Sequence, residues 1–216
     1  MRFSKSVLIT AAALLVPFVS QATSVSVTSD PTLSVAGLTF NDFTCSVSMG
    51  GALADPTNCG SINVATITTP GNGIQISSGF VAALNSFDDA VLTYDVSSTS
   101  GIDSVGLDFN GTFEGLAISQ VTESVYSGSN LVGFARVSCA PLGCNRTDEI
   151  MLGGNYTNLH IEKDILVAAA YGDASISIVD QTFSDAPEPA SLAMLGGGLL
   201  AAAGLLRRRN KGAVKA

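Results

Sequence analysis

The chain has 216 residues, with 18 Asp and Glu against ten Lys and Arg, one histidine, four cysteines and no tryptophan. Between residues 23 and 186 the imbalance is sharper: 17 acids face three bases, Arg136, Arg146 and Lys163, a formal charge of −14 against −8 for the whole chain. Such a surface repels phosphate backbones, which excludes nucleic acid as a partner, and the stretch is long enough for one domain with its own core.

Arg2 and Lys5 precede an apolar run from Val7 to Val19, broken near its end by Pro17 and followed by Ser20-Gln21-Ala22. A basic start, a short apolar stretch and small residues describe a signal peptide over 1–22, with signal peptidase expected to cut after Ala22. Residues 23–183 are then expected as one exported domain outside the inner membrane.

This segment alternates apolar and polar residues almost throughout. Val25 and Val27, Leu33 and Val35, and Phe43, Cys45 and Val47 each place one side of a strand on a core. Leu92, Tyr94 and Val96, then Val105, Leu107 and Phe109, then Ile176 and Ile178 repeat the pattern. Spacing by two is the mark of half-buried strands, and Ser and Thr on the outward positions suit a pleated surface. Asn110-Gly111, between Phe109 and Phe113, reads as a hairpin turn. Phe80 to Asn85 reads as a short helical turn, and Glu162 to Ala170 as either a helical turn or a buried strand. Ten to twelve short strands argue for an all-β fold, an antiparallel β-sandwich of jelly-roll-like or Ig-like kind.

Cys45, Cys59, Cys139 and Cys144 all lie in the exported part, and an even count in an oxidising compartment points to disulfides. Four cysteines allow three pairings. Cys45–Cys59 and Cys139–Cys144 are favoured, because each pair is close in sequence and flanked by turn residues.

Catalytic patterns are sparse. There is no G-x-S-x-G elbow, phosphate loop or C-x-x-C, and His160, between Leu159 and Ile161, is expected on the solvent face of a strand. Asp88-Asp89, Asp103 with Asp108, and Asp148-Glu149 are the carboxylate groups. A pair of them could hydrolyse a glycoside or hold calcium on a loop, but 17 acids produce neighbours without any purpose. The expectation is no catalytic activity, no metal site and no cofactor beyond loosely attracted calcium. A carbohydrate- or calcium-binding module is the alternative, and a glycoside hydrolase is ranked behind it.

The C-terminus is different in kind. After a linker over 184–189 containing Pro187, Glu188 and Pro189, residues 190–206 carry no charge, and Arg207, Arg208 and Arg209 begin a basic tail over 207–216. Seventeen helical residues rise about 26 Å, close to the hydrocarbon thickness of a bilayer, and the basic cluster is expected on the cytoplasmic side. Pro187-Glu188-Pro189, the start Ala190-Ser191-Leu192-Ala193, the glycine-rich apolar stretch and the three arginines together resemble the PEP-CTERM sorting signal of Gram-negative bacteria that make exopolysaccharide. The resemblance implies that an exosortase, a membrane-embedded cysteine protease, recognises the tail and releases or transfers the protein. It implies a transient inner-membrane anchor, then the cell surface or extracellular matrix, with exopolysaccharide or biofilm as the setting. It implies sorting and not a biochemical activity.

Overall fold

The structure, a computed structural model, describes residues 23–51 and 57–185. The expected signal peptide with its cut at Ala22, the Pro187-Glu188-Pro189 motif, the expected apolar helix over 190–206 and Arg207, Arg208 and Arg209 lie outside the described residues. Among the described residues no helix is long and apolar enough to cross a membrane.

Among the described residues ten strands carry the fold: β1 (Val25–Ser26), β2 (Leu33–Val35), β3 (Leu38–Gly50), β4 (Asn63–Ile67), β5 (Gly73–Ala83), β6 (Ser86–Phe109), β7 (Thr112–Ser127), β8 (Asn130–Ala140), β9 (Gly143–Asn145) and β10 (Thr147–Asp185). Every pairing is antiparallel. The long strands turn corners, and this makes one hydrogen-bonded network into two packed layers. β6 turns at Gly101 and β10 at Gly172, both with positive φ (90° and 93°). A side chain at Gly101 would meet Asn155 Oδ1 at 1.8 Å, and one at Gly172 would meet the Glu114 carbonyl at 2.0 Å. Both corners therefore need glycine for conformation and for space.

In the first layer the order is β2, β3, the first half of β6, the middle of β10, β7, β8 and β9. The second layer runs β1, β4, β5, the end of β10, the second half of β6 and the start of β10. The inward faces meet between them. Phe40, Phe80, Tyr94 and Phe109 are fully buried there, with Leu92, Ile76, Ile161 and Ile165. Each large apolar side chain so buried contributes about 1.5–3 kcal/mol. The Phe40 and Phe183 rings, one from each layer, sit 5.6 Å apart.

The described chain begins and ends at the same end of these layers. Asp185 pairs with Ile102 just past the Gly101 corner, and Val25 pairs with Val64 in the edge hairpin whose loop lies at that end. Leu84, Phe87, Leu116, Leu142 and Tyr171 are exposed at the other end, around the β5–β6, β7, β8–β9 and β10 corners.

Three local expectations are resolved. Phe80 to Ala83 is strand and not a helical turn: Phe80 and Ala82 point inward, Val81 and Ala83 outward, and the chain turns only at Leu84-Asn85. Glu162 to Ala170 is strand, with Lys163, Ile165, Val167 and Ala169 inward. Asn110-Gly111 is not a hairpin turn, because β6 and β7 do not pair. It carries the chain past β10 where that strand exchanges β7 for β6 as its neighbour. Asn110 Oδ1 accepts from the Ser177 and Ile178 amides at 3.0 and 2.9 Å, satisfying the backbone at the bulge between Ile176 and Ile178.

The core has a polar centre. Lys163 on β10 and Glu123 on β7 are register partners, both fully buried, and their side chains form an ion pair. The same Lys163 Nζ donates to Gln181 Oε1 of the second layer at 2.5 Å, and Gln181 Nε2 donates to the Gly106 carbonyl at 3.0 Å. Burial pushes the Glu123 carboxyl up and the Lys163 amine down from their ordinary values, opposed in each case by the partner's charge. Tyr94 lies beside them with its hydroxyl buried and without a hydrogen-bond partner. Burial, reinforced by the Glu123 charge, raises its phenol well above the ordinary value.

Candidate functional site

The outward face of the first layer is a broad strand surface. Register places Asp95, His160 and Tyr126 side by side on β6, β10 and β7. His160 Nδ1 lies 2.6 Å from Asp95 Oδ1, and its ring centroid lies 6.4 Å from that of Tyr126. Asn41, Asp95, Ser97, Gly128, Asn158 and His160 line a shallow cleft of about 430 Å³ at this edge. Further across, Phe134 is 53% exposed opposite Ser124, and Arg136 Nη2 donates to Gln120 Oε1 at 2.5 Å. The Thr44 and Thr93 hydroxyls meet at 2.7 Å. The face thus combines aromatic edges with hydroxyl, amide and carboxylate groups in register.

Period-two geometry decides the carboxylates. Asp88 faces the interior and Asp89 the surface, so these neighbours cannot act together. Asp89 meets Asp164 of β10 instead. Burial first, then a hydrogen bond and repulsion from Asp89, then repulsion from Glu162, push Asp164 up to about 6. On the second layer Asp108 and Asp180 are register partners, and with Asp148 and Glu149 they line a groove of about 370 Å³. Burial and the Asp180 charge raise Asp108, while Arg146 opposes them. Among the described residues no group of three or more His, Cys, Asp or Glu is arranged to hold a metal ion.

Cys45 and Cys59 are joined in a disulfide between β3 and the short turn Cys59–Ser61, and Cys139 and Cys144 in another across the β8–β9 hairpin. The Glu123–Lys163–Gln181 centre was not among the sequence candidates. Its signal was one charge inside each of two apolar stripes, Val121-x-Glu123-x-Val125 and Ile161-x-Lys163-x-Ile165.

Comparison with known proteins bears on the C-terminus. Residues 185–209 match the PEP-CTERM protein-sorting motif. The chain carries a PEP-CTERM sorting signal. That motif marks a secreted protein with a C-terminal membrane-anchoring signal, sorted through an exosortase. It begins at Asp185, the residue where β10 ends.

Among curated proteins nothing matches. Solved structures with a similar course include TmCBM61 in complex with β-1,4-galactotriose, 12% identical, covering 65% of this chain and 88% of that one at a TM-score of 0.33. Carbohydrate-binding module CBM36 in complex with calcium and xylotriose is 13% identical over 64% of this chain and 99% of that one, at 0.28. A family 11 carbohydrate-binding module from Clostridium thermocellum, in complex with a β-1,3-1,4-mixed-linked tetrasaccharide, is 12% identical over 69% and 97%, at 0.25. Likenesses this distant say nothing about ligand.

Proposed function

We propose that this chain is cargo of an exosortase-type system, delivered across the inner membrane of a Gram-negative bacterium to the cell surface or matrix, and that it does no catalysis of its own. The observation that carries the reading is the junction at Asp185, where a disulfide-bearing strand domain passes directly into a PEP-CTERM motif. Two disulfides suit an oxidising destination. Pro187, Glu188 and Pro189 are the element bound by the sorting enzyme, and exopolysaccharide is the setting in which the product works.

Glu188→Ala should leave the protein uncut in the membrane fraction, while the parent yields a mature C-terminus near Pro187 by mass spectrometry. Normal release of the variant would remove the motif from the account, and an intact Ala216 in mature extracellular material would remove the processing.

A second reading rests on the outward face of the first layer. Exposed Phe134 beside Arg136 and Gln120, with Tyr126 and His160 in register, gives a flat surface of stacking edges and hydrogen-bonding groups suited to an extended polysaccharide. Phe134→Ala should weaken retention on immobilised exopolysaccharide, and equal retention would remove that face. Calcium, if it binds, should raise the melting temperature, and a flat titration would dismiss it.

A further inference from the structure

We infer that Lys163 and Gln181 become joined by an amide bond that the folded domain makes on itself, with Glu123 as the proton carrier.

Three groups that seldom meet in a dry core are held together here. Lys163 Nζ contacts both the Glu123 carboxylate and, at 2.5 Å, Gln181 Oε1. A carbonyl bond of about 1.23 Å then places the Gln181 Cδ no farther than about 3.7 Å from that nitrogen, and nearer at any bent hydrogen-bond angle, bordering on the roughly 3–3.5 Å of a near-attack arrangement. The amide cannot easily swing away, because its Nε2 is anchored on the Gly106 carbonyl. Lys163 and Glu123 are fixed on adjacent strands in register, and the lysine, glutamate and glutamine are all fully buried. Water that would compete as a nucleophile is excluded.

The step balances without any co-reactant. Lys163 passes a proton to Glu123, and its freed lone pair bonds to Gln181 Cδ while the carbonyl π pair moves onto Oε1. Glu123 delivers that proton to Nε2, and as the tetrahedral centre collapses the Cδ–Nε2 bond breaks and ammonia leaves. Glu123 takes a second proton from the former lysine nitrogen and keeps it as a neutral acid. One amine and one carboxamide become one secondary amide and one ammonia, with no change of oxidation state. Burial favours this direction, since it already drives the glutamate and the lysine toward their uncharged forms. The product replaces two buried charges with neutral groups and ties the first-layer run of β10 to its second-layer run across the Gly172 corner.

The test is a peptide map of the purified full chain by mass spectrometry after reduction of both disulfides. Cleavage at Asp164 and Asp173, which lie between the two residues, should leave peptides still joined and lighter by one ammonia than their sum. Trypsin should fail to cut after Lys163. Complete cleavage after Lys163 with an unmodified Gln181 peptide, in folded protein, would overturn the inference whatever any variant does. Lys163→Arg keeps a cation beside Glu123 but lacks the amine, and should show no joined pair. Glu123→Gln should form the bond at least about 100-fold more slowly. Bonding at the parent rate in that variant would remove Glu123 from the step.

Discussion

The protein holds two acid–base contacts in neighbouring registers of one strand, and they differ in almost every consequence. His160 with Asp95 lies on the surface, with side chains 45% and 48% exposed, whereas Lys163 with Glu123 lies three residues further along β10 with both side chains at 0%. A single flip of the pleat separates them. Outside, water screens the pair and replaces either partner cheaply. Inside, neither group has an alternative, so each is committed to the other and to Gln181. Residue type therefore says little about role in this domain until the parity of the position is known.

The strongest way to break that contrast is Glu123→Ala. It leaves Lys163 buried without its carboxylate and should cost about 3–5 kcal/mol in urea unfolding. A loss below about 1 kcal/mol would mean that the interior contact behaves like a surface one. Next comes removal of the Cys45–Cys59 disulfide, which closes a 14-residue separation on the rim of the first layer. The double Cys→Ala variant should lose about 3 kcal/mol, against about 2 kcal/mol for Cys139–Cys144 with its separation of five. Equal losses would show that loop length is not what these bonds constrain.

Asp164 tests the boundary between the two environments. Its folded carboxyl titrates near 6 against an ordinary 3.8, so the folded state holds the proton more tightly than the unfolded chain. The stability this supplies is fully present below about pH 4 and is lost as pH rises through about 6. Melting should thus weaken between those values by on the order of 1 kcal/mol once solvent screening is allowed for, and Asp164→Asn should flatten the profile. The smallest effect belongs to the surface contact. His160→Ala should change unfolding free energy by less than about 1 kcal/mol, and a larger loss would place that histidine in the framework.

The strand character of the domain was legible because alternation is a direct record of which side faces the core. Leu92, Tyr94 and Val96, and Val105, Leu107 and Phe109, showed their inward side in the residue string alone, and the stripes Val121-x-Glu123-x-Val125 and Ile161-x-Lys163-x-Ile165 carried the same information unread. Glu123 and Lys163 were read as part of a solvated charge total, since counting acids discards position. Phe80 to Ala83 was misread for a different reason: four apolar residues fit a helical turn as well as a strand, and short runs carry no period. Asn110-Gly111 has the composition of a hairpin, but pairing is decided by non-local partners, and β10 takes the place that β7 would have had beside β6. The Lys163–Gln181 approach depends on how the layers stack, which no local pattern encodes. The PEP-CTERM signal needed none of this, because its Pro187-Glu188-Pro189 motif, apolar stretch and arginines are contiguous in sequence.

That the described residues begin and end at one end of the layers has a spatial consequence. Leu84, Phe87, Leu116 and Tyr171 lie at least some twelve residues of strand, about 40 Å along the chain, from Asp185. The apolar end of the layers and the start of the sorting motif are therefore at opposite ends of the described domain, so whatever takes hold of the motif leaves these side chains uncovered.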